Sequence, residues 1–432
     1  MNLVNGEILD AKQCDKVLEE LDRRIVNTLE KGSLNPETVI AACDKLITGL
    51  DESMCLKAMY ELGMNEAMGR GYIKEVRQLF SAEGLRHRLK TELGENYGCR
   101  REFIPFRKEF SVTEKICPLG VLLHVAAGNA DGLPAFSVLE GLLAGNINIL
   151  KLPAREGGLS VRLLLELIKI EPALAEYIYV FDYSSKDIIH LEKLISAADA
   201  VIVWGGREAV SALRRFVPVH IKLIEWGHKL SFAYVTEKGI TKDGLIGLAK
   251  NITETRQLLC SSPQGIFLDT DDMNAVYDFC GQFIPVLDDE IYQSPQDTGI
   301  GIQSRIALEL YNEELEEIYR NSKVFRGKSC SLVAYPDKTL ETAIQFGNAW
   351  VRPLPKSELT AVLHPYKNFL QTVGLLCGEA EREEITRMLF KTGVVRVCPC
   401  ENMSSAYCGA PHDGEYSLRR YTKTVTVEFP QV

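Results

Sequence analysis

The chain lacks several features that would place it in a specialised class of protein. Its 432 residues carry a formal net charge of −10, so it has no bulk electrostatic attraction for nucleic acid or anionic membrane. It contains no run of 18 or more apolar residues, because polar side chains interrupt even the most apolar region, residues 121–150. The first residues have neither the basic start nor the apolar stretch of a secretory signal. We therefore expect a cytoplasmic protein that binds no nucleic acid and spans no membrane.

Internal repeats and low-complexity segments are also lacking, and the cysteines do not form the framework of a small disulfide-rich protein. The composition, 46% hydrophobic and 25% charged, supplies enough apolar material for two or three globular domains. Twelve cysteines are scattered along the chain, which indicates free thiols in a reducing compartment. A cysteine that does chemistry must therefore be distinguished by its surroundings.

The first half of the chain has a helical portion followed by alternating strands and helices. Residues 11–95 show apolar residues at helical spacing, with a break at 33–37. Two short β-type runs at 103–106 and 110–113 predict a hairpin. The elements predicted after Gly120 are strands Val121–Val125, Ile147–Leu150, Ile178–Phe181 and Ala200–Trp204, and helices Phe136–Leu143, Leu159–Ile170 and Ile188–Ser196. This alternation predicts an α/β fold whose parallel sheet is covered on both faces.

A second α/β unit is predicted after Glu225. Its predicted elements are strands Phe232–Val235 and Gly265–Asp269, and helices Leu245–Asn251, Ala275–Phe283 and Leu308–Tyr319. Strict alternation in Tyr421–Phe429 predicts an isolated final strand, which needs a partner elsewhere in the chain or in another subunit.

Three segments place a reactive polar side chain at the end of an apolar strand. Asn129 follows the strand 121–125, and its carboxamide can donate hydrogen bonds to a developing oxyanion, although it also suits a helix cap. Glu225 follows the apolar residues 223–224, where burial would fit it for proton transfer, while a solvated loop glutamate is the commoner case. Cys260 precedes small polar residues and a strand, a setting that stabilises a nucleophilic thiolate, although a single cysteine is more often inert packing. The combination of all three favours catalysis.

The order of these residues resembles the aldehyde dehydrogenase superfamily. The matching segments are Gly128-Asn129, Leu143 to Lys151, Trp204-Gly205-Gly206, Glu225-x-Gly227-x-Lys229 and Cys260. Within that superfamily, Cys260-Ser-Ser-Pro-Gln264 and Pro411-His-Asp-Gly414 are similar to the acyl-CoA reductase branch, which is LuxC-like and reduces long-chain fatty acyl-CoA. The resemblance covers about residues 100–432.

The resemblance implies a fold with two parallel-sheet domains and a small β oligomerisation arm. On this basis residues 1–225 form a helical layer and a nucleotide-binding domain, residues 226–415 a catalytic thiol domain, and residues 416–432 an oligomerisation strand. The hairpin at 100–119 would contribute to the arm. A homodimer is the smallest assembly expected.

The resemblance also implies a reaction. Cys260 would attack the thioester carbonyl of an acyl-CoA, with Asn129 holding the oxyanion, and reduction of the acyl-cysteine would release an aldehyde. Glu225 would position the thiol or relay protons. No metal is implied.

Cofactor contacts follow from the same resemblance. Lys151 would lie on the adenosine ribose, and Gly205, Gly206 and Gly227 would line the cofactor site. NAD-selective relatives tend to hold an acid shortly after this lysine, whereas here no carboxylate follows until Glu156. Because a basic Arg155 beside Lys151 would suit a 2′-phosphate, we predict NADPH in preference to NADH.

Other functions stay open at this point. The enzyme could be a short-chain or aromatic CoA-acylating aldehyde dehydrogenase, and its acyl donor could be CoA or an acyl-donating protein partner. A non-catalytic metal-binding or regulatory protein would instead use Cys398, Cys400, Cys408 and His412, although Cys-x-Cys is a weaker signature of zinc than paired Cys-x-x-Cys.

Overall fold

A computed structural model describes residues 1–61, 65–95, 97, 100–103, 110–126, 132–153, 158–295, 298–405 and 407–430. The chain forms two compact units. Unit 1 comprises residues 1–58, 70–227 and 407–432, and unit 2 comprises residues 59–69 and 228–406.

The elements of the first 227 residues begin with a short hairpin and a helical layer, followed by alternating strands and helices. They are β1 (Asn2–Val4), β2 (Glu7–Leu9), α1 (Ala11–Glu19), α2 (Leu21–Glu30), α3 (Pro36–Thr48), α4 (Glu52–Glu61), α5 (Glu66–Leu79), α6 (Ala82–Leu93), β3 (Arg100–Phe103), β4 (Phe110–Pro118), β5 (Val121–Val125), α7 (Leu133–Leu143), β6 (Ile147–Lys151), α8 (Leu159–Ile170), β7 (Ile178–Phe181), α9 (Ile188–Ser196), β8 (Ala200–Trp204), α10 (Arg207–Phe216) and β9 (Lys222–Trp226).

The remaining elements form a second alternating series and a short return segment. They are β10 (Leu230–Val235), α11 (Lys242–Thr255), β11 (Pro263–Leu268), α12 (Met273–Gln293), α13 (Gly299–Arg320), β12 (Lys323–Arg326), β13 (Ser331–Ala334), β14 (Asn348–Pro353), α14 (Leu359–Leu363), β15 (Leu370–Leu376), α15 (Glu379–Phe390), β16 (Arg396–Cys398), α16 (Ser417–Arg420) and β17 (Thr422–Pro430).

The predicted α/β class is confirmed by two sheets whose strands are mainly parallel. In unit 1 the strand order is β2-β1-β7-β6-β5-β8-β9. The five strands β7, β6, β5, β8 and β9 are parallel to one another, and the β1–β2 hairpin adds two antiparallel strands at the β7 edge. The chain order reverses between β5 and β8, which is the kind of position where doubly wound sheets bind nucleotides at the carboxyl ends of their strands. Buried apolar side chains pack on both faces of this sheet.

The sheet of unit 2 has the order β12-β13-β14-β11-β10-β15-β16. All its neighbouring pairs are parallel except β12 with β13. Two apolar clusters cover its faces, one of them on α11 and α12. Because both faces are covered, β10 and β11 read as nearly continuous apolar runs.

A third sheet has the order β17-β4-β3 and is antiparallel throughout. The predicted hairpin is confirmed by the pairing of β3 with β4, while residues 104–109 lie outside the described part of the chain. The final strand finds its partner within the chain, since Thr422 lies opposite Pro118 and Phe429 opposite Ser111. Its role in oligomerisation stays a prediction.

No helix in the described part of the chain is both long enough and apolar enough to cross a lipid bilayer.

Candidate active site

Cys260 occupies a tight turn in the loop between α11 and β11. The Ser262 N–H donates to the Leu259 carbonyl over 3.0 Å, and the Leu259 N–H donates to Ser262 Oγ over 3.2 Å, so the turn is closed from both sides. Among the eleven cysteines that the structure describes, Cys260 is the one whose side chain is exposed. A substrate can therefore reach Cys260 more readily than the other cysteines of the described chain, which are buried or partly buried.

Buried carboxamides hold the backbone before and after this turn. Helix α11 ends in two successive left-handed residues, Arg256 (φ 51°) and Gln257 (φ 61°). Gln257 is fully buried; its Nε2 donates to the Pro263 carbonyl over 3.1 Å and its Oε1 accepts the Gly347 N–H over 3.2 Å. Gln264 Nε2 in turn donates to the Gln257 carbonyl over 2.9 Å. These bonds compensate the cost of the left-handed residues and fix the position of Cys260.

A bulge in β10 ties the same loop to two strands. The register of β10 shifts around Ser231 against both β11 and β15. The buried Ser231 Oγ donates to the Cys260 carbonyl over 2.7 Å and accepts the Thr372 N–H over 3.0 Å. The Ser231 hydroxyl thus accepts the hydrogen bond of the Thr372 amide, which the irregular strand pairing leaves without a backbone acceptor.

Gln371, the second residue of β15, contacts the sulfur itself. Its Nε2 lies 3.3 Å from Cys260 Sγ in hydrogen-bonding geometry, and its side chain is almost completely buried. The Val395 N–H donates to the Gln371 carbonyl over 3.1 Å, so the strand that carries this side chain is held in its sheet. Cys260, Ser231 and Gln371 all lie at the amino ends of the parallel strands of unit 2, or just before them.

Apolar surface adjoins the thiol in sequence. Leu258 and Leu259 are 47% and 44% exposed. Two half-exposed leucines next to an exposed thiol offer apolar contact area to a substrate that carries a hydrocarbon chain.

Lys151 lies at the carboxyl end of β6 in unit 1. Its side chain is buried, and its Nζ donates to Ser185 Oγ over 2.6 Å. Burial lowers the pKa of Lys151, and the negative charge of Asp182 opposes part of that shift. A buried ammonium whose contact is a hydroxyl suits the hydroxyl and phosphate oxygens of a nucleotide.

The three glycines predicted at the cofactor site follow β8 and β9. Gly206 caps the amino end of α10, and a Cβ placed on Gly206 or on Gly227 would meet no atom within 4 Å. A Cβ on Gly205 would lie 3.2 Å from Ala209 Cβ. Open space beside Gly206 and Gly227 allows close approach of a ligand to the backbone.

Glu225 lies in β9 with its side chain 22% exposed. It forms a two-point ion pair with Arg214 of α10, whose Nη2 donates to Glu225 Oε2 over 2.5 Å and whose Nε contacts Oε1. The sequence left open a buried carboxylate suited to proton transfer and a solvated loop glutamate, whereas the structure places Glu225 in a strand, partly exposed and paired with a basic side chain.

Two of the predicted site residues, Asn129 and Arg155, lie outside the described residues. The cysteine and histidine residues of the metal-binding alternative have other surroundings. Cys400 is completely buried, Cys408 Sγ lies 3.8 Å from the Gln78 carbonyl, and the ring of His412 packs edge-on against Trp204 and Trp226. In the described part of the chain, no group of three or more His, Cys, Asp and Glu side chains is placed to hold a metal ion.

Sequence reasoning missed Ser231, Gln257 and Gln371. For Ser231 and Gln371 the available signal was polar residues inside a mainly apolar strand, as in Leu230-Ser-Phe-Ala-Tyr-Val235 and Leu370-Gln-Thr-Val-Gly374. Such a residue needs a buried partner, but its neighbour lies 29 or 111 residues away and periodicity does not identify it.

Comparisons with known proteins show the family and the fold. A family model described as acyl-CoA reductase (LuxC) matches residues 40–424. The chain is 26% identical over 327 residues to long-chain acyl-protein thioester reductase 2 of Photobacterium leiognathi, which covers 73% of this chain and 66% of that protein. The chain therefore spans slightly less than two thirds of that relative's length.

Solved structures of aldehyde dehydrogenases share the fold at low identity. Aldehyde dehydrogenase 21 of Physcomitrella patens superposes with a TM-score of 0.73 at 11% identity, covering 100% of this chain and 95% of that one. The NADP-dependent glyceraldehyde-3-phosphate dehydrogenase of Bacillus halodurans C-125 gives 0.72 at 15%, covering 100% and 99%. The predicted aldehyde dehydrogenase-like architecture is thereby confirmed. Because the family model matches well over half of its residues, the chain belongs to the LuxC family of acyl-CoA reductases.

Proposed function

We propose that this protein reduces an acyl thioester to an aldehyde through a covalent intermediate on Cys260. The observation that supports the proposal is the exposed sulfur on a fixed turn, with a carboxamide donor at 3.3 Å, in a chain of the LuxC family. A thiolate is the nucleophile in such chemistry, and a donor aimed at the sulfur favours that form.

In the acyl-transfer step, Cys260 Sγ attacks the carbonyl carbon of the thioester. The oxyanion that forms is held by Asn129 and by the Cys260 N–H, as the family resemblance implies, and collapse expels the donor thiolate. Each such oxyanion donor contributes on the order of a hundredfold in rate. Glu225 would relay protons or position the thiol, and its ion pair with Arg214 would hold the carboxylate in place.

The nicotinamide cofactor would be held by unit 1. Lys151 and Ser185 would provide a buried ammonium and a hydroxyl for the ribose, and Gly205, Gly206 and Gly227 would line the cofactor at the carboxyl ends of β8 and β9, with open space beside Gly206 and Gly227. Bound NADPH would supply the hydride for reduction of the acyl group. Arg155 favours NADPH over NADH through the 2′-phosphate, and a cofactor titration with at least tenfold preference for NADH would contradict that assignment.

The acyl donor could be either acyl-CoA or an acyl group carried on a protein. Acyl-CoA is the donor that the resemblance implies, whereas the name of the Photobacterium leiognathi relative points to an acyl group carried on a protein. Leu258 and Leu259 favour a long hydrocarbon chain over a short one, because burying each methylene contributes about 0.8 kcal/mol.

We also propose self-association through the β17 edge of the third sheet. Val425, Val427 and Phe429 are 41%, 45% and 68% exposed on this strand. An edge strand of this length leaves backbone groups available for a partner strand. Light scattering at the monomer mass over micromolar concentrations would contradict this proposal.

The function is tested by following NADPH oxidation together with trapped aldehyde for acyl-CoAs from acetyl to tetradecanoyl. The proposal predicts aldehyde in proportion to NADPH, with kcat/KM rising with chain length. Cys260→Ser should abolish both signals, while the matched control Cys408→Ser, at a partly buried thiol in unit 1, should retain them. Equal activity of Cys260→Ser and wild type would refute the mechanism, and highest activity with acetyl-CoA would favour the short-chain alternative.

A further inference from the structure

The carboxamide of Gln371, whose contact with the sulfur supports the proposed function, is also placed to take part in two steps of the catalytic cycle. A cysteine with an ordinary pKa of about 8.5 is only a few per cent thiolate at pH 7, so a nucleophilic cysteine needs a group that favours its ionised form. A hydrogen bond donated to the sulfur stabilises the thiolate more than the thiol.

Several charged groups on the described elements around the turn make contacts elsewhere in unit 2. Lys229, before β10, donates to the Asn368 carbonyl over 3.0 Å. Arg256, at the end of α11, lies over the Phe346 ring at 5.5 Å. Arg396, in β16, donates to the carbonyls of residues 402, 403 and 405 at 2.8 Å, and the exposed Glu254 of α11 has Lys250 and Glu290 as its charged neighbours. Gln371 Nε2, a neutral donor of unit 2, lies 3.3 Å from the sulfur.

Gln371 is suited to this task because it is preorganised. Its side chain is 7% exposed, so its amide has already lost its water before substrate binds. The β15 backbone at this point is fixed on both sides, by Val395 N–H on the Gln371 carbonyl and by Thr372 N–H on Ser231 Oγ. Donors held in this way need no reorganisation when charge develops.

We propose that Gln371 is a catalytic residue of this enzyme, whose Nε2–H donates to the Cys260 thiolate and stabilises it. This role rests on the proposed function. The charged sulfur occurs twice in the cycle, before attack on the thioester and again when the reduced adduct expels Cys260. The same donor therefore assists acyl-enzyme formation and aldehyde release.

The test is the pH dependence of Cys260 alkylation by iodoacetamide in the full-length protein, with each site quantified by peptide mass spectrometry. Gln371→Leu keeps the buried volume and removes the donor. We expect the midpoint of its Cys260 profile to move up by about one pH unit, which is about tenfold slower alkylation at pH 7, with the same plateau at high pH. Gln371→Glu should move the midpoint at least as far, because it adds a like charge.

Two controls separate this role from a structural one. Thr372→Val alters the neighbouring side chain, which points to the opposite face of β15. Because this substitution changes no charge and removes no donor to the sulfur, it should leave the midpoint of the Cys260 profile within about 0.3 pH units of the wild-type value. Cys408 in each sample reports general changes in reactivity. If Gln371→Leu does not fold, Gln371→Asn, which withdraws the donor by one methylene, takes its place with the same expected shift.

Each outcome decides the proposal. An unchanged midpoint in Gln371→Leu, or a rate lowered equally at every pH including the plateau, would overturn it. Alkylation needs no acyl substrate, so its result is independent of the reductase assay. A shifted midpoint in a protein that forms no aldehyde would sustain the thiolate contact and remove the reductase function, whereas an unshifted midpoint in an active reductase would do the reverse.

Discussion

Replacing Ser231 by alanine should loosen the turn that carries Cys260. The hydroxyl is completely buried and satisfies two backbone groups, the Cys260 carbonyl at 2.7 Å and the Thr372 amide at 3.0 Å. Ser231→Ala removes both hydrogen bonds and changes the shape of the side chain only by the loss of one oxygen atom.

The magnitude follows from the burial of the two backbone groups. The Thr372 amide lies inside the sheet and would lose its partner, at a cost of about 1–3 kcal/mol. The Cys260 carbonyl belongs to an exposed residue that water can reach, so its loss is nearer to the net value of about 1 kcal/mol for one hydrogen bond. We expect a loss of about 2–4 kcal/mol in the free energy of unfolding of unit 2.

The assay combines urea unfolding, hydrogen exchange of the peptide containing residues 370–376, and the acylation rate of Cys260. Ser331→Ala is a matched control, because Ser331 is equally buried in the same sheet and donates to Asn348 Oδ1 over 2.6 Å. Both variants should lose stability, but only Ser231→Ala should exchange faster at residue 372 and acylate Cys260 more slowly. Wild-type exchange and wild-type acylation in Ser231→Ala would refute the reasoning.

Three further predictions concern the cofactor, packing and pH. Lys151→Ala should weaken NADPH binding about 10- to 100-fold, since a hydrogen bond to a charged group contributes about 1.5–3 kcal/mol, and an unchanged Kd in a fluorescence titration would contradict this. Gly374→Ala should lower the free energy of unfolding by about 1–3 kcal/mol, measured by urea titration, because its Cβ would lie 2.4 Å from Met403 Sδ. The control Gly281→Ala, whose Cβ would meet no atom within 4 Å, should be neutral or stabilising in that measurement. Burial lowers the pKa of His124 from 6.5 to about 4, so the unfolded chain binds a proton at a higher pH than the folded protein does. About 3 kcal/mol of the free energy of unfolding that is present above pH 6.5 is therefore lost as the pH falls to 4. His124→Asn should remove this pH dependence when the free energy of unfolding is measured between pH 4 and 7.

Much of the fold could be predicted because its strands are short apolar runs between helices. Val121–Val125, Ile178–Phe181 and Ala200–Trp204 have the predicted bounds, since both faces of the sheet are covered and polar residues mark the strand ends. The hairpin of β1 and β2 was missed although Asn5-Gly6 forms its turn with both φ angles positive. Each of its strands has only three residues, too few for a period to be visible.

The site could be predicted only in part, because its supporting contacts join distant segments. Cys260 was identified from its place before a strand, and the structure leaves it exposed there. Gln371 reaches its sulfur from 111 positions away, and the register of parallel strands decides which β15 side chain faces the turn. The two-point pairing of Glu225 with Arg214 likewise depends on how α10 packs beside β9, which composition does not reveal.

The most direct measurement is to incubate the protein with tetradecanoyl-CoA in the absence of cofactor and to locate the acyl group by peptide mass spectrometry. We predict one tetradecanoyl group on the peptide containing Cys260, which disappears with release of tetradecanal when NADPH is added. An unmodified Cys260, or an acyl group on another cysteine that NADPH then reduces, would contradict it.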